Sequence, residues 1–285
     1  MEIELTPRQT PGANVTQTTD GWRLDIPAGA RQTYRLAQLD DYANPLAGSR
    51  QRFDKLNASA RPVSSWQALP RNRFRYAPPW TLRLRARVSG ADLPGTWGFG
   101  LWNDPFGLSL GFGGKPGRLP TPPQTTWFMH ASPPNWLSLQ DGPFPGSDRA
   151  IPANGFFAGT FRSPRIPSFL FAPGILALPL FELRPTSRLL RRLASRVIRQ
   201  DAAGINVDVT QWHEYSIQWL SEGCMFSVDG SEILCTPCSP RPPLGLVLWI
   251  DNQFAAWTPE GRLGYGTLEN PAAWLEIEKL NIQQE

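Results

Sequence analysis

The sequence predicts an all-β fold, an antiparallel β-sandwich built as a single domain over residues 1–285. Short segments in which apolar and polar residues alternate, as is typical of strands, recur along the chain. Thirty prolines and 25 glycines separate these segments and leave little room for long helices. No internal repeat of roughly 20 to 50 residues is present, so the sequence does not predict a propeller or a solenoid.

The segment Thr81–Val88 shows the strand alternation most clearly. Leucine, alanine and valine occupy every second position and arginine or threonine the positions between, which predicts a half-buried strand with a basic outer face. The other predicted strands are Gly21–Ile26, Arg31–Leu36, Trp97–Asn103, Thr125–His130, Asn135–Leu139, Gly155–Arg162, Glu214–Leu220, Cys224–Val228, Glu232–Cys235, Leu244–Ile250 and Trp274–Ile282.

Two segments interrupt this pattern. Residues 37–79 are rich in proline, serine and arginine and are predicted to form a long excursion over the surface. Residues 166–200 are predicted to be an insertion, in which an apolar, proline-rich flap (Ile166–Phe181) precedes a basic amphipathic helix (Thr186–Gln200). One interpretation packs the leucine stripe of this helix on the sandwich. The other gives the helix peripheral contact with a membrane through residues 166–199, or a role as a lid.

The basic residues are mostly arginine, since only three of the 28 are lysine. A genome that favours arginine codons would explain this bias, and attraction to anions or a membrane surface is the functional alternative. No nucleic-acid-binding motif accompanies the charge, so we expect no nucleic-acid partner. The amino-terminal residues lack the apolar segment of a signal peptide. This predicts a cytoplasmic protein, or a secreted one if a leader was removed.

The cysteine spacing indicates neither a disulfide framework nor a zinc site. Cys235 and Cys238 form a C-x-x-C pair without a second pair of ligands. The segment Val228–Ser231 predicts a two-residue hairpin turn, and counting back from that turn pairs Phe226 with Ile233 and Cys224 with Cys235. A disulfide between those two cysteines and a reduced pair are both compatible with this register, and a cytoplasmic location favours the reduced pair.

Five segments carry a resemblance to a known family. They are Gly95–Trp102, Trp212–Trp219, Phe226–Gly230, Pro243–Ile250 and Trp274–Ile282. In order and spacing they resemble strands of family 16 glycoside hydrolases (laminarinase-like enzymes), within the concanavalin A-like lectin and glucanase superfamily. The resemblance covers about two-thirds of the chain. It implies a jelly-roll sandwich with a ligand cleft on one sheet.

The resemblance also implies where catalytic carboxylates would stand. In the family, the strand after the tryptophan-containing one carries three carboxylates at relative positions 0, 2 and 5, the third returned to the same face by a bulge. The retaining reaction needs two carboxyl groups about 5 to 5.5 Å apart. The matching positions here are Thr125, Trp127 and His130. Because none of them is a carboxylate, the family's double-carboxylate hydrolysis is not expected.

The cleft that the resemblance implies is predicted to be rich in aromatic side chains. Indole faces suit sugar rings, which offer polarised C–H groups and apolar area, although each tryptophan could equally belong to the core. The predicted ligand-binding residues are Trp97, Trp102, Asn103, Thr125, Trp127, Trp136, Trp249, Asn252 and Trp257.

Three side chains are candidates for acid/base catalysis in this cleft. His130 could act as a base with a near-neutral pKa, and Asp104 and Asp251 follow predicted cleft strands. A structural role for the histidine and turn roles for the two aspartates are the alternatives. No spacing of His, Cys or acidic residues indicates a metal. No cofactor is predicted, and although related sandwiches often bind a structural calcium ion, no Asp-rich loop specifies one here.

Three functional hypotheses follow. The leading one is a binding protein whose aromatic cleft holds a carbohydrate or a glycosylated, partly apolar small molecule. The second is an enzyme of different chemistry in the same cleft, with His130, Asp104 or Asp251 as the acid or base acting on a small glycoside or apolar substrate. The third is a structural or interaction protein, which would follow if the flap filled the cleft.

Overall fold

The computed structural model describes residues 5–42, 74–105, 121–166 and 183–284, and within these ranges the chain forms sixteen strands and one helix. The strands before the helix are β1 Thr6–Gln9, β2 Asn14–Gln17, β3 Gly21–Ile26, β4 Leu36–Asp40, β5 Trp80–Val88, β6 Thr96–Trp102, β7 Thr125–Ala131 and β8 Gly155–Arg162. Helix α1 is Arg184–Val197. The strands after it are β9 Arg199–Gly204, β10 His213–Leu220, β11 Gly223–Val228, β12 Ser231–Thr236, β13 Gly245–Asp251, β14 Gln253–Trp257, β15 Leu263–Thr267 and β16 Ala273–Gln284.

Fourteen of these strands form two seven-stranded sheets, which confirms the predicted β-sandwich. Sheet A has the order β1-β4-β13-β6-β7-β8-β9, and sheet B has the order β12-β11-β10-β5-β16-β3-β2. Every strand pair within the two sheets is antiparallel. Strands β14 and β15 form a separate hairpin beside sheet A.

Sheet A is buried on both faces, and strand β13 shows how. All seven of its residues are buried. Leu246, Leu248 and Ile250 belong to the main core between the sheets, whereas Val247 and Trp249 belong to a second apolar cluster on the other face. Because successive side chains of a strand point to opposite faces, the second cluster lies on the outer face of sheet A. The predicted cleft residues Trp102, Trp127 and Trp249 lie on that face.

The outer face of sheet B carries the arginines predicted for the Thr81–Val88 strand, and acidic side chains neutralise part of their charge. Arg87 contacts Glu276 at 2.8 Å, and Arg85 contacts Glu278 at 3.4 Å, both across the β5–β16 pair. The Arg87 guanidinium also lies 4.8 Å from the centre of the Trp212 ring. These partly exposed pairs make a small contribution to stability, and they reduce the positive field of this face.

The predicted surface excursion 37–79 is wrong at its two described ends, residues 37–42 and 74–79. Residues 43–73 lie outside the described ranges. Residues up to Asp40 form β4 inside sheet A, and Tyr76 is buried and bridges to Leu244. The predicted strand Arg31–Leu36 overlaps the observed strand β4 at Leu36 alone. The predicted strand Asn135–Leu139 is reduced to a single bridge from Trp136 to Ala256.

The predicted helix exists, but its bounds differ from the prediction. It begins at Arg184, with a proline in its first turn, where the missing N–H costs nothing. It ends at Val197, because Arg199–Gly204 form strand β9 and pair with β8. The predicted flap lies outside the described residues, apart from its first residue, Ile166.

The β11–β12 hairpin has the predicted turn, but the predicted cysteine pairing is wrong. Asp229 and Gly230 both have positive φ, as a type I′ turn requires. A bulge between Phe226 and Ser227 then shifts the register by one residue, so that Cys224 pairs with Thr236 and Cys235 with Met225. Cys224 is buried and Cys235 is exposed, and both thiols are free.

Candidate functional site

Three tryptophans form a compact cluster on the outer face of sheet A. Trp102 on β6, Trp127 on β7 and Trp249 on β13 stand on three neighbouring strands. The rings of Trp102 and Trp249 are parallel within 3°, with centres 6.3 Å apart. The ring of Trp127 lies 5.7 Å from Trp249 and 6.1 Å from Trp102, tilted against both. We call this group the tryptophan cluster.

Glycine residues on β6 make room for the cluster. Gly98 lies on the same face as Trp102, four positions away along the strand. A Cβ atom at Gly98 would lie 2.9 Å from the ring of Trp249, closer than ordinary van der Waals contact. The Trp249 ring can therefore occupy this position only because residue 98 carries no side chain.

A polar group anchors the Trp102 side of the cluster. The Trp102 indole N–H donates a hydrogen bond to the hydroxyl of Tyr42, and the Arg8 guanidinium lies 5.7 Å from the Tyr42 ring centre. Arg8 forms a salt bridge with the buried carboxylate of Asp40, which also accepts a hydrogen bond from Gln38 at 2.8 Å. Burial raises the pKa of Tyr42, so its hydroxyl stays protonated.

Two buried polar groups on this face have no hydrogen-bond partner within the described part of the chain. They are the indole nitrogen of Trp127 and the hydroxyl of Thr125, which lie two positions apart on β7. Trp127 is 7% exposed and Thr125 is fully buried. A buried donor or acceptor left without a partner costs about 1–3 kcal/mol, so such groups call for an explanation. Both groups point to the face that carries the tryptophan cluster.

Hydrogen bonds connect the candidate catalytic residue Asp251 to the tryptophan cluster. Its Oδ1 accepts a hydrogen bond from the Thr96 hydroxyl at 2.8 Å, and the same hydroxyl accepts one from the Trp249 indole at 2.9 Å. The Gln253 amide also donates to Oδ1. Burial raises the pKa of Asp251 to about 6, because removal from water disfavours the charged form more than these hydrogen bonds favour it.

The structure places His130 and Trp97 outside the predicted cleft. Strand β7 pairs without interruption with β6 and with β8, so it contains no bulge to bring residue 130 onto the face of residues 125 and 127. The His130 ring instead stacks on Trp97, with ring centres 5.6 Å apart, and its Nε2 contacts the Leu93 carbonyl at 3.2 Å. Trp97 belongs to the core between the sheets.

A structural role for His130 predicts an effect on stability. Burial lowers the pKa of His130, so its neutral form stabilises the fold above pH 6.5, the ordinary value, and this contribution is lost as the pH falls below it. We expect His130→Ala to lower the free energy of unfolding at pH 7.5 by about 1–3 kcal/mol, through the lost hydrogen bond and ring contact. Urea denaturation measures this. A variant as stable as the wild type would contradict the structural role.

Two of the predicted polar binding residues have their side chains engaged by neighbouring backbone groups. The Asn252 side chain donates to the carbonyls of Thr33 and Leu268 and accepts from the Arg35 amide. Asn103 donates to a carbonyl at 2.9 Å and accepts from the Gln124 amide. Both residues hold segments of the chain together, and their predicted role as ligand contacts stays a prediction.

The remaining predicted residues lie around the tryptophan cluster or beside the helix. Asp104 adopts a positive φ of 46° just after β6, and its charge acts on Tyr42 and Arg8. Trp136 bridges to β14, and its indole nitrogen is buried without a partner among the described residues. The Trp257 indole donates to Ser187 of α1 at 2.9 Å.

Comparisons with known proteins give matches to solved structures only. No protein-family profile and no curated protein matches the chain. A legume lectin-like domain from Entamoeba histolytica matches with 9% identity and a TM-score of 0.43, covering 99% of this chain and 90% of that one. A family 16 endo-glucanase from Bacteroides ovatus matches with 8% identity and a TM-score of 0.42, covering 99% of this chain and 96% of that one. The laminarinase catalytic domain from Thermotoga maritima matches with 11% identity and a TM-score of 0.40, covering 96% of this chain and 81% of that one.

Likeness at this level of identity concerns the arrangement of strands and does not extend to individual site residues. Among the residues that the structure describes, no group of three or more His, Cys, Asp or Glu side chains is arranged to hold a metal ion.

Several residues at the site were missed by sequence reasoning. Thr96 links Asp251 to Trp249, and Phe161 packs edge-on against Trp127 at 6.5 Å. The alternation of β6 was a usable signal for Thr96, since it shares a face with Trp102. The contact of Tyr42 with Trp102 joins residues 60 positions apart, and no local pattern indicates it.

Proposed function

We propose that this protein binds a carbohydrate or a glycosylated, partly apolar small molecule against the tryptophan cluster. Three indole rings stand on adjacent strands, and such rings suit the C–H groups of a sugar ring or an attached apolar group. Trp102 is partly exposed, whereas Trp127 and Trp249 are each 7% exposed, so a ligand would reach the cluster from the side of Trp102. Sites for small ligands combine such an apolar lining with a few fixed polar groups. The polar groups here would be Trp127 Nε1 as a donor and the Thr125 hydroxyl as a donor or acceptor.

The observation that carries this proposal is the grouping of three indole rings on one face, with Trp127 Nε1 and the Thr125 hydroxyl beside them without partners. Trp80 and Trp97 in the core between the sheets also have indole nitrogens without a partner, so the unpaired groups alone do not indicate a ligand. A ligand oxygen accepting a hydrogen bond from Trp127 would remove the cost of leaving that donor unpaired. The Thr125 hydroxyl is fully buried, so it would meet a ligand oxygen only if neighbouring side chains moved.

Replacing Trp127 by phenylalanine tests the proposal, because this change removes the N–H and keeps an aromatic ring. We expect the affinity for a bound glycoside to fall about five- to tenfold, the effect of one lost hydrogen bond. Isothermal titration with octyl β-glucoside and with laminarihexaose gives the affinities.

The matched control is Trp212→Phe, since Trp212 lies under Arg85 and Arg87 on sheet B. This variant should bind like the wild type. Equal losses in the two variants would contradict the site, as would wild-type protein that binds neither probe nor any member of a broader glycan panel.

A second candidate function is acid/base catalysis on a small glycoside or apolar substrate, and the raised pKa of Asp251 favours it. A carboxyl group with a pKa of about 6 can deliver or accept a proton near neutral pH. An Asp251→Asn variant that binds octyl β-glucoside normally but fails to turn over an aryl glycoside would support catalysis. If the wild type shows no turnover between pH 5 and pH 7, binding alone remains.

A further inference from the structure

The exposed large hydrophobic side chains are concentrated on one region of the described chain. Six of the seven belong to α1, to the residue that precedes it, or to strand β15 of the neighbouring hairpin. They are Leu183, Leu189, Leu193, Val197, Leu263 and Tyr265. The seventh, Leu220, ends strand β10 on sheet B. Arg188 of α1 donates to the Glu260 carbonyl at 2.8 Å, so the hairpin and the helix are in contact.

The helix is fixed by polar residues, with a leucine stripe facing away from the protein. Arg191 is 1% exposed and donates to the carbonyls of Trp257 and Ser138 at 2.9 Å, and it also forms a salt bridge with Asp141. Leu189, Leu193 and Val197 follow at four-residue intervals and are 57%, 46% and 48% exposed. This part of the leucine stripe therefore does not pack on the sandwich, contrary to the first interpretation drawn from the sequence.

The exposed face of the helix is also strongly basic. No acidic residue occurs between residues 183 and 200, whereas six arginines do. Arg192 and Arg196 are exposed beside the leucine stripe, and neither forms a salt bridge within the described ranges. The contrast with sheet B is clear, because there Glu276 and Glu278 neutralise arginines. Here positive charge and apolar area occupy one surface together.

We propose that the exposed face of α1 docks on an anionic lipid surface. An amphipathic helix with arginines on its polar side lies in the plane of a membrane interface, burying its apolar residues while the arginines meet lipid phosphates. A second copy of this face would bring arginine against arginine, so charge disfavours self-association.

Vesicle flotation with the full chain tests this proposal. Vesicles of phosphatidylcholine with about 30% phosphatidylglycerol are compared with vesicles of phosphatidylcholine alone. We expect binding to the anionic vesicles, weak binding to the neutral ones, and loss of the difference in about 0.5 M NaCl, where the screening length is a few ångströms. The double change Leu189→Ser and Leu193→Ser should lower the partition coefficient on the order of 100-fold.

Two further variants separate lipid binding from its alternatives. Leu220→Ser removes an equally exposed leucine far from the helix in sequence and should leave vesicle binding unchanged. Arg192→Gln with Arg196→Gln should weaken binding to anionic vesicles by about fivefold per arginine. Circular dichroism checks that each variant is folded.

The proposal is overturned if wild type and the double leucine variant partition equally. It is also overturned if Leu220→Ser loses as much binding as the double variant. Sedimentation velocity supplies the third decisive outcome. A wild-type dimer that the double leucine change dissociates, without any vesicle binding, would assign this face to a second copy.

Discussion

Replacing Asp251 by asparagine is expected to make the protein more stable at pH 7, by about 3 kcal/mol in the free energy of unfolding. The carboxyl is buried, and its pKa is raised from 3.8 to about 6. At pH 7 the folded protein must therefore hold a buried negative charge, whose cost the unfolded chain avoids. Asparagine keeps an oxygen to accept the hydrogen bonds of Thr96 and Gln253 and carries no charge.

The pH dependence of this difference follows from the direction of the shift. The protonated carboxyl stabilises the fold below pH 3.8, and this contribution is lost as the pH rises through about 6. The variant should therefore match the wild type near pH 4 and exceed it increasingly up to pH 7. Urea denaturation at several pH values measures the difference between the two proteins, in which the contributions of all other groups cancel.

Asp229 provides a control with the opposite sign. Hydrogen bonds from His213 and from the Glu214 amide lower the pKa of Asp229, so this carboxylate stabilises the fold above its unfolded pKa and loses that effect in acid. Asp229→Asn should therefore destabilise the protein at pH 7 and less so at pH 4. If Asp251→Asn showed this same trend, the account of Asp251 as a destabilising buried charge would be wrong.

Replacing Arg191 by methionine is expected to lower the free energy of unfolding by about 2–4 kcal/mol and to loosen α1. Methionine preserves much of the buried volume but leaves the carbonyls of Ser138 and Trp257 without their charged donor. Asp141 is half-exposed and regains water, so its contribution to the loss is small. Hydrogen exchange should increase at the amides of residues 187–197, and urea denaturation gives the loss of stability.

The neighbouring residue supplies a matched control. Arg192 has the same side chain on the same helix, but it is exposed. Arg192→Met should change stability by less than about 0.5 kcal/mol, as is usual for surface substitutions. Equal effects of the two substitutions would show that Arg191 does not hold the helix in place.

The main strands of the fold could be predicted from the sequence because their side-chain patterns are local. Strand β5 alternates between buried apolar residues and arginines, and β8 was predicted with its observed bounds. Strands β1, β2 and β9 were missed because they are four to six residues long and partly polar. Strands β1 and β9 pair with strands about 30 to 40 residues away, β4 and β8, which a short sequence window does not contain, whereas β2 pairs with the adjacent strand β3.

The site could be predicted only in part, because its prediction rested on the position of each tryptophan along the chain and not on the face to which it points. Trp97 and Trp102 are five positions apart on β6, and an odd separation on a regular strand places them on opposite faces. The same rule separates His130 from Trp127 once β7 is known to lack a bulge. The absence of that bulge is a property of pairing with both neighbours, which the sequence of β7 alone does not specify.

The position of α1 between β8 and β9 has a consequence for how this protein could diversify. Arg162 and Arg199 are paired residues on adjacent antiparallel strands, so everything between them is, in topological terms, the loop of one hairpin at the side of sheet A. Loops closed by a fixed strand pair tolerate changes of length and sequence at little entropic cost. Variation is therefore expected mainly outside Ser187 and Arg191, whose buried side chains tie the helix to Trp257, Ser138 and Asp141.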